Sequence, residues 1–288
     1  MSKVYVIATA YNEERMIDAF VDHYLRQGCH ILVGDDGSDD STLPKLRAWE
    51  VMSYGKLKCT RMQDSALRDG FSIRRNLDWR MEQAQVLADL EGDEPWFLMV
   101  DIDEHFVPPE DYSIAGLVSE LQDGGYNQAS CTQAVFVPWL ESPDHDHPWF
   151  TETMRYYYPM KMHGEGNILF RFQRQWGFSD AGKTITLPGG GNVFRSCILK
   201  HYFFLSMEHA RRKWNRPISE HDPDGWHRWD DFAPEHRPDM LEVLSKNVLR
   251  LWEGPNSDMT DSYARHIVRT PRPRQLFSSL RADPEGSV

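Results

Sequence analysis

Cysteine is scarce in this chain. Its four residues, Cys29, Cys59, Cys131 and Cys197, are widely spaced and form no C-x-x-C pair. That excludes the disulfide density of a small secreted scaffold and is expected of reduced thiols in a cytoplasmic protein. Long apolar runs are missing as well, since none approaches the ~20 residues needed to span a bilayer. Basic charge is in deficit, 32 Lys and Arg against 44 Asp and Glu for a formal charge of −12. A broad electrostatic affinity for nucleic acid or an anionic membrane is thereby excluded, although a local basic patch is not. The first apolar run is not followed by G-x-G-x-x-G or by G-x-x-x-x-G-K-[ST], so neither a dinucleotide loop nor a P-loop is present. "GFSDAG" at 177–182 is one residue too long for the nucleophile elbow G-x-S-x-G.

What is present is an alternation. Residues 3–10 are apolar apart from Lys3 and Thr9, and Val4, Val6 and Ile7 are β-branched, which suits a strand covered on both faces. "VYVIATA" ends in an A-x-A pattern, but its basic flank is Lys3 alone and Asn12, Glu13 and Glu14 follow at once, so a buried strand is expected rather than a signal peptide. Ile17, Phe20, Val21, Tyr24 and Leu25 then fall at helical spacing, with Gly28 suited to the helix end. "HILVG" predicts a second strand, and Leu43, Leu46 and Trp49 a second helix. Strand, helix, strand, helix implies a parallel sheet with ligands beyond the carboxyl ends of its strands.

Farther along, residues 72–90 predict a helix with Ile73, Leu77, Met81, Val86, Leu87 and Leu90 on its apolar side. "WFLMV" predicts a strand, 114–122 a helix and "ASCTQAVFVPW" another strand. Residues 141–166 read as a long surface loop containing the solvated "HDH" at 145–147. "NILFRFQ", "KTITL" and "CILKHYFF" predict strands, whereas "SMEHARRKWNR" and "MLEVLSKNVLRLW" predict helices. The expected organisation is a core over 1–205, with a nucleotide-binding half at 1–107 and an acceptor half at 108–205. A helical extension with a disordered tail follows over 206–288.

The chemistry concentrates in "DIDEHF" at 101–106, where three carboxylates follow a hydrophobic strand. Alternation along a continuing strand would turn Asp101 and Asp103 to one side and Ile102 to the core. Hard oxygen ligands so placed suit Mg²⁺ or Mn²⁺ with a diphosphate. Taken alone, D-x-D is equally a helix-cap cluster or a solvated acidic turn. "DDGSDDS" ends the second strand; its Gly37 lies too early for an EF-hand loop, and Asp35 and Asp36 are expected to face the crevice.

Taken together, "ATAYNEERMIDAFVDHYLRQG", "GDDGSDDST" and "WFLMVDIDEHF" resemble the nucleotide-binding half of family 2 type glycosyltransferases of the GT-A fold, in the branch with a D-x-D-E-F-like motif. The resemblance covers roughly residues 3–107 and resumes at "KTITLPGG" and "LKHYFFLSMEHARRKW". It implies a Rossmann-like, mostly parallel sheet flanked by helices. It also implies a metal-dependent transfer, with inversion, from a nucleoside diphosphate sugar (a UDP-sugar favoured) to a hydroxyl of a glycan or another acceptor. Ala10, Tyr11, Asn12, Glu13, Asp36 and Arg75 would line the donor pocket, with Lys183 neutralising the diphosphate. Asp101 and Asp103 would hold metal and donor, and His201 would complete the metal shell. Position alone leaves His201 open as a buried core histidine, Arg75 as an exposed helical arginine and Lys183 as a surface lysine.

The acidic pair in the acceptor half that the resemblance to family 2 members implies for the general base has no clear counterpart. Glu104, Glu141, Asp144, Glu165 and Asp180 are the candidates, and Asp103, Glu104 and Asp180 are carried forward as catalytic. Tyr156 to Tyr158, Trp139, Trp149 and Trp176 suit either sugar stacking or the core. Replacing Asp103 by Asn is expected to remove activity and leave the fold intact. The rival readings are a nucleotidyltransferase of related fold and a catalytically silent nucleotide- or glycan-binding module. The first usually carries a glycine-rich basic loop where this chain has acidic "TAYNEE".

Overall fold

The computed structural model describes residues 3–62, 72–92, 94–109, 112–139, 144–160, 167–178, 185–214, 250–254, 257 and 259. Its first half runs β1 (Val4–Ala10), α1 (Ile17–Arg26), β2 (His30–Asp35), α2 (Thr42–Met52), β3 (Leu57–Arg61), α3 (Ile73–Glu91), β4 (Trp96–Met99) and β5 (Glu104–Val107). Then follow α4 (Ile114–Asp123), β6 (Gln128–Phe136), α5 (Phe150–Thr153), β7 (Tyr156–Met160), β8 (Asn167–Arg171), β9 (Gly177–Phe178) and β10 (Ile185–Thr186). β11 (Val193–Tyr202), α6 (Met207–Trp214) and β12 (Arg250–Leu251) complete the described chain.

One ten-stranded sheet is ordered β12-β7-β6-β8-β4-β1-β2-β3, with β11 pairing both β5 and β6. The N-terminal strands are parallel, as the alternation predicts. All seven residues of β1 are buried, and β1 pairs with β2 through Ala10↔Asp35 and with β4 through Ile7↔Met99. The loops after β1, β2 and β4 therefore leave the sheet at one end, where an α/β sheet binds its ligands. Beyond β4 the sheet turns mixed, with β8 antiparallel to β4 and β6, and β11 parallel to β6 but antiparallel to β5. This is a mixed α/β architecture, one large sheet flanked by helices.

Several local expectations change. "LKCTR" is a strand that the sequence pattern does not announce, an edge strand that turns Leu57 and Cys59 inward and leaves Lys58, Thr60 and Arg61 exposed. α3 buries Asn76, Arg80, Ala84 and Ala88 at four-residue spacing, while Val86 and Leu90 are 46% and 77% exposed. Small alanines let the helix approach the sheet, and Arg80 uses that closeness to reach beneath it. The expected loop at 141–166 contains α5 and β7, and His145 within it is buried. At the far end, Arg250–Leu251 form a strand paired with β7, where the pattern predicts helix. Among the described residues no helix is long and apolar enough to cross a membrane.

Candidate active site

β4 ends at Met99, so Asp101 and Asp103 lie in a turn and not along a strand. The turn closes with Glu104 N donating to Asp101 O at 3.0 Å. Strand alternation therefore does not apply, and the two aspartates have different surroundings. The Asp101 side chain is 46% exposed, whereas that of Asp103 is 7% exposed.

Each carboxylate meets a cation. Arg80 Nη2 donates to Asp101 Oδ1 at 2.6 Å and to Thr9 Oγ1 at 2.8 Å, tying α3 to the ends of β1 and β4. Asp103 Oδ2 accepts from Lys213 Nζ at 2.6 Å and from His201 Nε2 at 3.1 Å. Burial alone would raise the Asp103 pKa, but Lys213 and His201 outweigh it and hold the carboxyl well below its ordinary range. Lys213 also reaches Glu13 Oε1 at 3.2 Å.

Topology explains how residues so far apart in sequence meet. β11 lies against β5 in the register His201↔Glu104, and Tyr202 N donates to Asp103 O at 2.8 Å. The chain then turns into α6, where Ser206 Oγ accepts from His209 N and His209 Nδ1 accepts from Leu205 N, both at 3.0 Å. One turn later the helix presents Lys213 to Asp103. The preceding residue, Arg212, binds Asp146 Oδ2 at 2.7 Å, and Asp146 lies 3.2 Å from Arg15 just after the first loop. The "HDH" segment is thus a clasp between the N-terminal half and α6.

Glu104 faces inward. Its Oε2 accepts from Asp101 N at 3.0 Å and its Oε1 from Gln133 Nε2 at 3.1 Å. The same Gln133 amide lies 2.9 Å from His201 Nδ1. An amide nitrogen donating to both makes Nδ1 the acceptor, so His201 Nε2 carries the proton that points at Asp103. Gln133 Oε1 is left buried without a hydrogen-bond partner.

Two carboxylates and an imidazole at one strand end fit Mn²⁺ or Mg²⁺ in donor chemistry. The orphaned Gln133 oxygen fits as well. Turned about, the amide oxygen would accept a hydrogen bond from Nδ1–H and free Nε2 as a ligand, although that oxygen would then also face Glu104 Oε1 and require a proton there. In the present arrangement, among the described residues, no three or more His, Cys, Asp and Glu side chains are grouped as a metal centre. Lys213 and Arg80 supply the positive charge.

The residues expected to line the donor pocket form a second group. Asn12, at a left-handed φ of 55°, accepts from Asp39 N at 3.0 Å, and its own N–H donates to Ser38 Oγ at 2.9 Å. Asparagine tolerates that backbone and laces the loops after β1 and β2 together. Asp35 serves its own turn, accepting from Gly37 N and Ser38 N at 3.2 Å. Asp36 binds Arg75 in a two-pronged pair, Nε to Oδ1 at 3.1 Å and Nη2 to Oδ2 at 3.0 Å. The pair brings two expected donor residues together, with Arg75 at the outer rim and Asp36 buried behind it. Ala10 is buried and Tyr11 half-buried.

Asp180, Lys183, Glu141 and Glu165 lie outside the described residues. Asp144 is exposed and accepts from Asp146 N at 3.0 Å. Trp176 is buried in the core, Trp149 is exposed, and Trp139 stacks on Tyr156 at 4.4 Å. Sequence reasoning gave no role to Arg80, Gln133 or Lys213. The available signals were the four-residue stripe of small and polar residues on α3, a glutamine inside an apolar strand and the lysine ending the "HY…S…E…K" segment.

Among curated proteins no sequence matches. Solved structures give low-level likenesses. S. aureus TarS is 17% identical, over 46% of this chain and 22% of that one, with a TM-score of 0.32. Glucosyl-3-phosphoglycerate synthase from Mycobacterium tuberculosis, solved with Mn²⁺, UDP and glucosyl-3-phosphoglycerate, is 18% identical over 46% of this chain and 44% of that one, with a TM-score of 0.29. A putative glucose-1-phosphate thymidylyltransferase from Bacillus anthracis is 13% identical over 48% and 56%, also with a TM-score of 0.29. The match therefore spans less than two thirds of each of these proteins. The profile described as "Glycosyl transferase family 2" matches residues 5–181, more than half of the chain, and the protein belongs to that family.

Proposed function

We propose that the protein is a divalent-cation-dependent glycosyltransferase that moves a sugar from a nucleoside diphosphate sugar to an acceptor hydroxyl, with inversion. The observation that carries this reading is Asp103, a buried carboxylate held by His201 and Lys213 at the end of β4, beside Asp101. Family membership supports the reaction class.

Asp101, Asp103 and His201 would hold Mn²⁺ or Mg²⁺, which supplies positive charge to the departing diphosphate. Arg75, braced by Asp36, stands at the rim where the nucleoside would enter, beside Ala10, Tyr11, Asn12 and Glu13. Glu104 is better suited to fixing the turn than to taking a proton, because its two oxygens already accept from Asp101 N and Gln133. Asp180 remains a candidate general base, with Glu141, Asp144 and Glu165 behind it, and Lys183 a candidate for the diphosphate. A UDP-sugar is the favoured donor, and a cytoplasmic setting belongs to the same proposal, resting on cysteine usage alone.

Incubation with Mn²⁺ and a panel of nucleotide sugars, with and without acceptors, tests the reading. Release of free nucleoside diphosphate that rises with a hydroxyl acceptor is the expected result, and NMR of the product anomer reads inversion. Release of inorganic pyrophosphate from a sugar phosphate and a nucleoside triphosphate would establish a nucleotidyltransferase instead. Donor binding without turnover for every acceptor would leave a binding module.

A further inference from the structure

We infer that Lys213 is the protein's own counter-cation at Asp103 and competes with the divalent cation for that carboxylate. The inference rests on the metal-dependent reading above. The Lys213 ammonium lies 2.6 Å from Asp103 Oδ2 and 3.2 Å from Glu13 Oε1, with the side chain only 14% exposed. A divalent ion coordinated by the same carboxylate would share its space and repel its charge, so the two cations exclude one another.

The surroundings suit an exchange. α6 is held by the Ser206 cap and by the Arg212–Asp146 pair, which keeps the helix in place. The long lysine stem allows its ammonium to move while that helix stays still. Glu13 is the second seat. When a divalent ion takes Asp103, Lys213 moves to the Glu13 side and faces the crevice where the diphosphate arrives. Metal alone must then displace an ammonium, whereas metal with a nucleoside diphosphate gives that ammonium a new partner. Divalent cation and nucleotide therefore bind with positive coupling, each raising the affinity for the other.

Mn²⁺ binding to the full chain, followed by the electron paramagnetic resonance signal of free Mn²⁺ without nucleotide, tests the inference. Lys213→Met is expected to bind Mn²⁺ at least about tenfold more tightly than the wild type, since its competitor is gone. A purely structural lysine would leave the constant unchanged or weaken it as the site loosens, and either outcome in a folded variant overturns the inference. A second measurement does not depend on that variant. Lysines of the wild-type protein are ¹³C-methylated, the Lys213 signal is identified by its loss in Lys213→Arg, and Mg²⁺ is added. Movement of that signal with metal occupancy supports competition, and a stationary signal on a metal-loaded protein overturns it. No metal binding by wild type or Lys213→Met, with or without UDP, would overturn the metal-dependent reading and this inference with it.

Discussion

Replacing Asp103 by Asn exchanges a buried anion for a neutral amide of nearly the same shape. From sequence alone this change looks harmless to the fold, but the structure predicts a sizeable loss of stability. Asp103 accepts two hydrogen bonds from cationic or potentially cationic groups, at 2.6 Å from Lys213 and 3.1 Å from His201. Hydrogen bonds to charged groups are worth roughly 1.5–3 kcal/mol each, and removing one partner of a buried pair typically costs about 3–5 kcal/mol. Lys213 keeps Glu13, which places the expected loss near the lower end, about 3 kcal/mol.

Asp101→Asn supplies the internal control. Its side chain is 46% exposed and its partner Arg80 keeps Thr9, so a cost of about 1 kcal/mol is expected. Urea unfolding at neutral pH in EDTA measures both, the metal being removed so that only the protein's own contacts count. At fixed m, the midpoint of Asp103→Asn should fall clearly below that of Asp101→Asn. Adding Lys213→Met to Asp103→Asn should recover part of the loss, because the unpaired ammonium leaves with it. Equal midpoints for the two single variants, or strict additivity in the double variant, would refute the buried pair.

Arg80→Met keeps the buried stem but removes the bonds to Asp101 and Thr9, so a loss of about 2–4 kcal/mol by thermal or urea unfolding is expected, with weaker donor binding in the same preparation. UDP should raise the melting temperature in Mn²⁺ and not in EDTA, by an amount equivalent to roughly 2.7 kcal/mol at a hundredfold excess over its dissociation constant; equal shifts in a thermal-shift assay would count against a metal-bridged diphosphate. Acid should destabilise the fold well above the carboxylate range. Burial pushes His23 down to about 4 and His209 down to about 3, and it holds His105 well below its ordinary value. These groups stay neutral in the fold while the unfolded chain takes up protons below about 6.5, so stability is full above that value and falls as pH drops towards 4, by up to about 1.4 kcal/mol per pH unit for each histidine. A flat urea midpoint between pH 7 and pH 5 would contradict that burial.

The parts of the fold legible in the sequence are those fixed by local pattern. β1, α1, β2 and α2 each carry a periodicity visible within their own residues, and their alternation dictates the parallel order and the end of the sheet at which ligands bind. β3 escaped because an edge strand with Lys58 and Thr60 facing water offers only two buried positions. The pattern of α3 gives its helix and part of its inner face, since Met81 and Leu87 pack against the core, but the fully buried stripe of Asn76, Arg80, Ala84 and Ala88 carries little hydrophobic signal. In the site, the D-x-D motif was legible and its turn was not. His201 could be named from the resemblance. Lys213 and Gln133 could not be placed beside it, because that requires knowing that β11 pairs with both β5 and β6.

The site answers the physical difficulty of a strongly acidic chain that gathers carboxylates at one end of its sheet. Each of these carboxylates, four of them buried, has a partner, and the partners differ in kind. Asp35 is met by backbone N–H groups, Asp36 by the fork of Arg75, Asp101 by Arg80, and Glu104 by a backbone N–H and an amide. Backbone and guanidinium partners are rigid, and they shape the loops. Among the contacts of the described residues, Asp103 is the carboxylate met by a lysine and a histidine, the one flexible on its stem and the other able to exchange its proton for a metal. Both partners can leave without unravelling a loop. In the proposed reading, the carboxylate whose counter-charges are exchangeable is the one suited to receive a divalent cation, and through it a diphosphate, so Asp103, rather than the more exposed Asp101, is where a loss of charge should weaken metal binding most.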